Sequence, residues 1–160
     1  VTNRENINIV IDVISDKLSE NNTYHIETTL DNLFQAEIFK LEADGEIYYI
    51  PLWHNEVEYD KEGKNLIVKC EASIPDHISI DDNNNIHVNI KASFGTLLKK
   101  THIEFEIAST KVFKIPVDEL FIKKTQDFFF YKKGIPRIND NDMYNADHVG
   151  DIIAHITLDN

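Results

Sequence analysis

Two stretches of the chain follow one plan, and this repetition limits the available folds more than any other feature. The first reads TYHIETTLDNLFQAEIFKLEADGEIYYIPL, from Thr23 to Leu52; the second reads IHVNIKASFGTLLKKTHIEFEIASTKVFKIPV, from Ile86 to Val117. In each, a strand containing histidine leads to a turn and a half of helix that ends in Leu-Phe or Leu-Leu. A second strand, a tight turn and a third strand closing on Ile-Pro (Ile50-Pro51, Ile115-Pro116) then follow. Each copy finishes on a strand after a glycine turn, GKNLIVKCEA in one and VGDIIAHITL in the other. A duplicated supersecondary unit must bury its apolar face twice, once per copy. The sequence therefore predicts two tandem domains, residues 1–80 and 81–160, joined around Ile78–Asn85.

The hydrophobic period is two along most of the chain. Ile7, Ile9, Ile11 and Val13 alternate with Asn8, Val10 and Asp12; Ile86, Val88 and Ile90 alternate with His87, Asn89 and Lys91. Ile103, Phe105 and Ile107 behave likewise between His102, Glu104 and Glu106. Such strands keep one face on a core and one toward water. Only Leu30–Phe34 and Ser93–Leu98 read as helical. The expected fold is mostly β: two small β-sandwich domains, each with a short helix plugging one open end.

Charge narrows the function. The net charge of −12 argues against nucleic acid, which needs clustered Lys and Arg against phosphate. The imbalance is local: from Asn21 to Asp60 nine acids face Lys40 alone, whereas from Lys99 to Arg137 nine bases face five acids. No apolar run approaches a membrane span, so no membrane partner is expected. One cysteine, Cys70, excludes an internal disulfide, suits the reducing cytoplasm, and reads as a structural thiol in a strand.

With these elements in order, the chain resembles the C-terminal substrate-binding region of DnaJ-type J-domain co-chaperones. The resemblance rests on the tandem repeat, the Leu30–Phe34 turn, the Phe39–Leu41 strand and the Ile-Pro strand ends. It rests also on Lys132-Lys133-Gly134-Ile135-Pro136, which echoes the family's Gly-Lys-Gly-hydrophobic-Pro turn, and on Val149-Gly150-Asp151-Ile152, which echoes its Arg-Gly-Asp-Leu entry to the last strand. It covers about residues 22–160. It implies a non-enzymatic module that binds unfolded or extended polypeptide clients, with a DnaK-class heat-shock chaperone as partner. The implied groove lies on the first domain, between the strands before and after its helical turn. Carried across by motif, its residues are Tyr24, Ile26, Phe39 and Leu41, with Ile78 and Ile80 at the floor near the linker. An extended peptide would pair with the open strand edge there and drop alternate side chains into apolar pockets.

The sequence departs from the family in four ways. Relatives that capture the chaperone's acidic tail carry lysines beside the groove, where this chain has Glu37, Glu42, Asp44 and Glu46 around Lys40. Like charges oppose tail capture and favour basic clients. The His-Pro-Asp tripeptide that triggers ATP hydrolysis in the partner does not occur, and one cysteine cannot build the zinc module. The chain stops at Leu158-Asp159-Asn160, without the relatives' dimerisation helix, so it reads as a monomer that such a helix would make a dimer. The alternative is a structural or assembly protein reusing the same scaffold.

Nothing in the sequence points to catalysis. None of the seven histidines stands at His-x-His or His-x-x-x-His spacing, so neither a metal site nor a cofactor is expected. Asp140-Asn141-Asp142 lacks the glycine and distant Glu of a calcium loop and reads as a solvated turn. A glycan hydrolase has no positive signal. In FFFYKKGIPR, from Phe128 to Arg137, alternate phenylalanines are expected inward on a strand, with Gly134 supplying a positive φ for the turn.

Overall fold

The computed structural model describes residues 15–18, 23–61 and 63–159; for 15–18 it describes the backbone alone. The expected strand over Ile7–Val13 lies outside these residues. The fold is mostly β, with two short helices.

The chain divides into two compact units. The first comprises Val1–Ser73 and Ile138–Asp147; the second comprises Ile74–Arg137 and His148–Asn160. The boundary thus falls at 73/74 rather than 80/81. Ile78 and Ile80 belong to the second unit, because their strand pairs with its sheet.

In the first unit β1 (Ser15–Leu18), β2 (Thr23–Thr29), β6 (Lys64–Ser73) and β5 (Glu56–Lys61) lie side by side in that order. Strand β2 runs parallel to β6, and the outer pairs are antiparallel. A separate hairpin joins β3 (Ile38–Ala43) to β4 (Glu46–Pro51). Its two-residue loop, Asp44-Gly45, has φ of 51° and 78°, the left-handed pair that matches the twist of a hairpin. Helix α1 (Leu30–Phe34) starts where Thr29 accepts from the Asn32 N–H and Asn32 accepts from the Thr29 N–H, a reciprocal cap.

The second unit repeats this plan element for element. Strands β7 (Ile78–Ile80), β8 (Ile86–Ser93), β12 (Ile152–Asp159) and β11 (Thr125–Phe130) form its sheet, again with a parallel central pair. Strands β9 (His102–Ala108) and β10 (Lys111–Pro116) form its hairpin, and Ser93 caps α2 (Phe94–Leu97) as Thr29 caps α1. The core gathers Leu97, Ile115, Ala154, Ile156 and Leu158, with Ile103, Phe105, Phe128 and Phe130 half-buried against it.

The turn after β11 is built differently from expectation. The left-handed residue is Lys132, at φ 58°, its N–H held by the Asp151 carboxylate at 2.8 Å. Gly134 is needed for space instead: a Cβ there would stand 3.1 Å from the Gly150 carbonyl oxygen, which accepts the Gly134 N–H. Gly150 is tighter still, since a Cβ would come within 2.6 Å of the Asn84 carbonyl oxygen. The Gly-Ile-Pro and Val-Gly-Asp motifs therefore form one knot, closed by Gly150 N–H to Ile135 and by Arg137 N–H to His148. The Arg137 guanidinium adds bonds to the Asn83 carbonyl and the Asn85 side chain.

Candidate functional site

The hairpin of the first unit is half-buried. Phe39, Leu41, Tyr48 and Ile50 face its core, while Lys40, Glu42, Ile47 and Tyr49 are exposed. The Leu52 N–H donates to the Glu37 carbonyl at 3.1 Å, which fixes the phase of the ladder. Hydrogen-bonded and non-bonded pairs alternate in an antiparallel ladder. Lys40–Tyr49, Ile38–Pro51 and Glu42–Ile47 are consequently non-bonded pairs, whose N–H and C=O groups point out of the hairpin. This phase explains why proline closes β4, since at Pro51 the missing N–H would have had no ladder partner.

The two outer edges fare differently. On β4, the Tyr49 carbonyl accepts the Tyr59 hydroxyl at 2.6 Å and the Tyr144 hydroxyl at 2.8 Å. Burial first, then Tyr144 beside it, raises the Tyr59 pKa far above the ordinary phenol value and keeps this donor protonated. On β3, no strand among the described residues pairs with the outward groups of Ile38, Lys40 and Glu42. An edge of this kind is a template for another extended chain.

The six residues expected to form a groove are divided between the two units. Ile26, Phe39 and Leu41 are 1%, 8% and 5% exposed and belong to the first unit's own interior; Tyr24 is half-buried beside them on β2. Ile78 is a core residue of the second unit, opposite Val88, and Ile80 is half-buried opposite Ile86. The expected apolar pockets are therefore filled by the protein itself, as strand faces beside a core commonly are. What remains available on the first unit is backbone and charge.

The second hairpin has the same phase, set by the Val117 N–H bond to the Thr101 carbonyl at 2.9 Å. His102, Glu104 and Glu106 on β9 thus point their backbone groups outward, and β9 too lacks a second strand among the described residues. Its inner face is looser. Phe105, Phe113 and Phe130 pack ring to ring at 5.2–5.9 Å, yet all three are half-buried.

A polar chain crosses the outer face of the second sheet. Asp81 meets His87 at 2.8 Å, His87 meets His155 at 2.8 Å, and His155 meets Asp127 at 2.7 Å. The two rings are nearly coplanar. Partial burial acts to raise the Asp81 pKa, but bonds from His87, Asn85 and Asn83 outweigh it and hold the group at about 2. The four groups run in a line and do not converge, and no metal-binding group of three His, Cys, Asp or Glu occurs among the described residues.

Two further groups are inert by burial. The Cys70 thiol is pushed up to about 12, too high for a thiolate nucleophile at neutral pH. His54, 3% exposed, has its pKa lowered by burial against the opposing pull of the Met143 backbone and Asp140, and no described group bonds its Nε2. No helix among the described residues is long and apolar enough to cross a membrane. No protein-family model matches the sequence, and no curated protein does.

The sequence pointed to β3 through Phe39 and Leu41, which are buried, whereas the exposed residues of the strand are Lys40 and Glu42. The Leu52–Glu37 bond that sets the phase has no sequence signature beyond the Ile-Pro ending. The His87–His155 pair joins residues 68 apart in sequence, beyond any local spacing rule.

Proposed function

We propose that the protein binds extended polypeptide by strand addition along its hairpin edges, as a chaperone-type module without enzymatic activity. The observation that carries this reading is the outer edge of β3, which no strand pairs among the described residues, matched in phase by that of β9. Main-chain pairing at such an edge is tolerant of client sequence, as a binder of unfolded chains requires. The resemblance to the DnaJ C-terminal region supports it through the repeated order of elements and through the knot of its Gly-Ile-Pro and Gly-Asp motifs. On this reading the clients are unfolded segments, the partner is a DnaK-class chaperone, and the compartment is the cytoplasm.

Lys40→Pro and Glu104→Pro test it directly. Each removes an outward N–H and leaves the hairpin's own ladder intact, because both residues occupy non-bonded pairs. Binding of a fluorescently labelled unfolded reporter should weaken in each variant and be lost in the double variant. A folded double variant that binds like the wild type rejects strand addition. Phe39→Glu is no test of the edge, since a charge at that buried position would unfold the unit.

A second reading, an assembly protein on the same scaffold, is favoured by one observation. Leu98, Phe121 and Ile122 of the second unit are 81%, 71% and 90% exposed. Sedimentation at increasing concentration distinguishes the two, because assembly through these residues predicts oligomers that Phe121→Ser and Ile122→Ser dissolve.

A further inference from the structure

We infer that the chain received along β3 is basic, with Lys or Arg at the positions that flank its apolar residues. This deepens the strand-addition reading and rests on it.

The charge of the molecule is divided with little sharing. The first unit holds eighteen acids and six bases, the second ten of each, so the whole net charge of −12 belongs to the first unit. The same contrast holds beside the edges. Glu37 leads into β3, Glu42 lies on it, and Asp44 and Glu46 follow; Glu42 and Asp44 are exposed, and Lys40 is the strand's lone base. Lys61, on β5, is committed to Glu46 at 2.9 Å. Beside β9 the charges are mixed: Lys99 and Lys100 precede it, Glu104 and Glu106 lie on it, and Lys111 and Lys114 stand on β10.

A strand laid along β3 must run past Glu37, Glu42 and Asp44 in turn. Backbone pairing supplies no preference between clients, and the inward apolar positions are already filled by Phe39 and Leu41. Discrimination therefore falls to these carboxylates. They repel an acidic segment and attract a basic one, within a Debye length of roughly 8 Å at physiological salt.

The test uses three labelled peptides of equal length with the same alternating Val, Leu and Phe core. They differ only at the intervening positions, which are Lys, Gln or Glu. Fluorescence anisotropy with the full chain at low salt should rank Lys above Gln above Glu. The first step should be roughly tenfold, the scale of a few exposed ion pairs. The advantage should shrink at high salt, and Glu42→Lys with Asp44→Lys should reverse the ranking in a variant whose circular dichroism is unchanged. Equal binding of the Lys and Gln peptides overturns the charge inference and leaves strand addition standing. Failure of all three peptides overturns both. A Lys-peptide preference that survives Lys40→Pro and the charge reversal undiminished overturns the placement on β3.

Discussion

The two copies share a topology and differ in how completely they are closed. In the first, the hairpin's inner face is sealed: Ile50 is fully buried and Phe39, Leu41 and Tyr48 nearly so. In the second, the equivalent positions hold Ile115, Ile103, Phe105 and Phe113, of which Ile115 alone is fully buried. Among the described residues, six of the eight large exposed hydrophobic residues also lie in the second copy, whereas the first carries all the excess negative charge. One backbone plan thus supports a tight acidic unit and a looser, electrically balanced one. The difference teaches that the repeat fixes ladder phase and edge geometry, while side chains set what each copy exposes.

The largest expected effect breaks the comparison at its cores. Phe39→Ala should cost about 3–5 kcal/mol, the range for a buried phenylalanine, while the equivalent step at half-buried Phe105 should cost less than half as much. Urea unfolding of both variants checks this, and equal losses would mean that the copies are equally packed. Next comes Gly150→Ala, which forces a methyl against the Asn84 carbonyl and should destabilise the second unit by about 1–3 kcal/mol. Gly95→Ala, with open space at its Cβ, should not.

Acid should separate the copies further. His54 is buried neutral and its folded pKa is lowered, so its contribution to the first unit is complete above the ordinary histidine value. That contribution is lost as pH falls from there toward the depressed folded value. Asp81 is a carboxylate held at about 2, so its contribution to the second unit persists above the ordinary aspartate value and fades only between that value and about 2. Amide hydrogen exchange followed from pH 7 to pH 3 should show protection around His54 falling before protection around Asp81. The reverse order, or a His54→Gln variant with unchanged acid sensitivity, would remove this contrast. The smallest effect is expected for His155→Asn, which breaks the four-membered chain on a half-exposed face and should cost about 1 kcal/mol by thermal unfolding.

Much of the architecture was legible because it is local. Alternation marks the strands, and Leu30–Phe34 and Ser93–Leu98 read as the two helices. The repeat then aligned the two halves. What local pattern could not supply is set by distant pairing. The strand Ile78–Ile80 reads equally well as the end of one domain or the start of the next until Val88 and Ile86 are seen to pair with it. Phe39 and Leu41 look alike in sequence whether they line a groove or fill a core, because an apolar strand face serves both. Lys132 carries the left-handed turn that glycine was expected to carry, since the Asp151 carboxylate holds its N–H from nineteen residues away.

Residues 138–147 stand between β11 and β12 in sequence but belong to the first unit, where the Tyr144 hydroxyl reaches the Tyr49 carbonyl across 95 positions. During synthesis, the unit that emerges first therefore receives its last segment only after most of the second unit has been made. At about 5–20 residues per second, its final segment is made several seconds after Ser73. Throughout that interval the β4 edge waits without one of its two tyrosine covers, so a nascent chain stalled before Tyr144 offers one more sticky strand than the finished protein does.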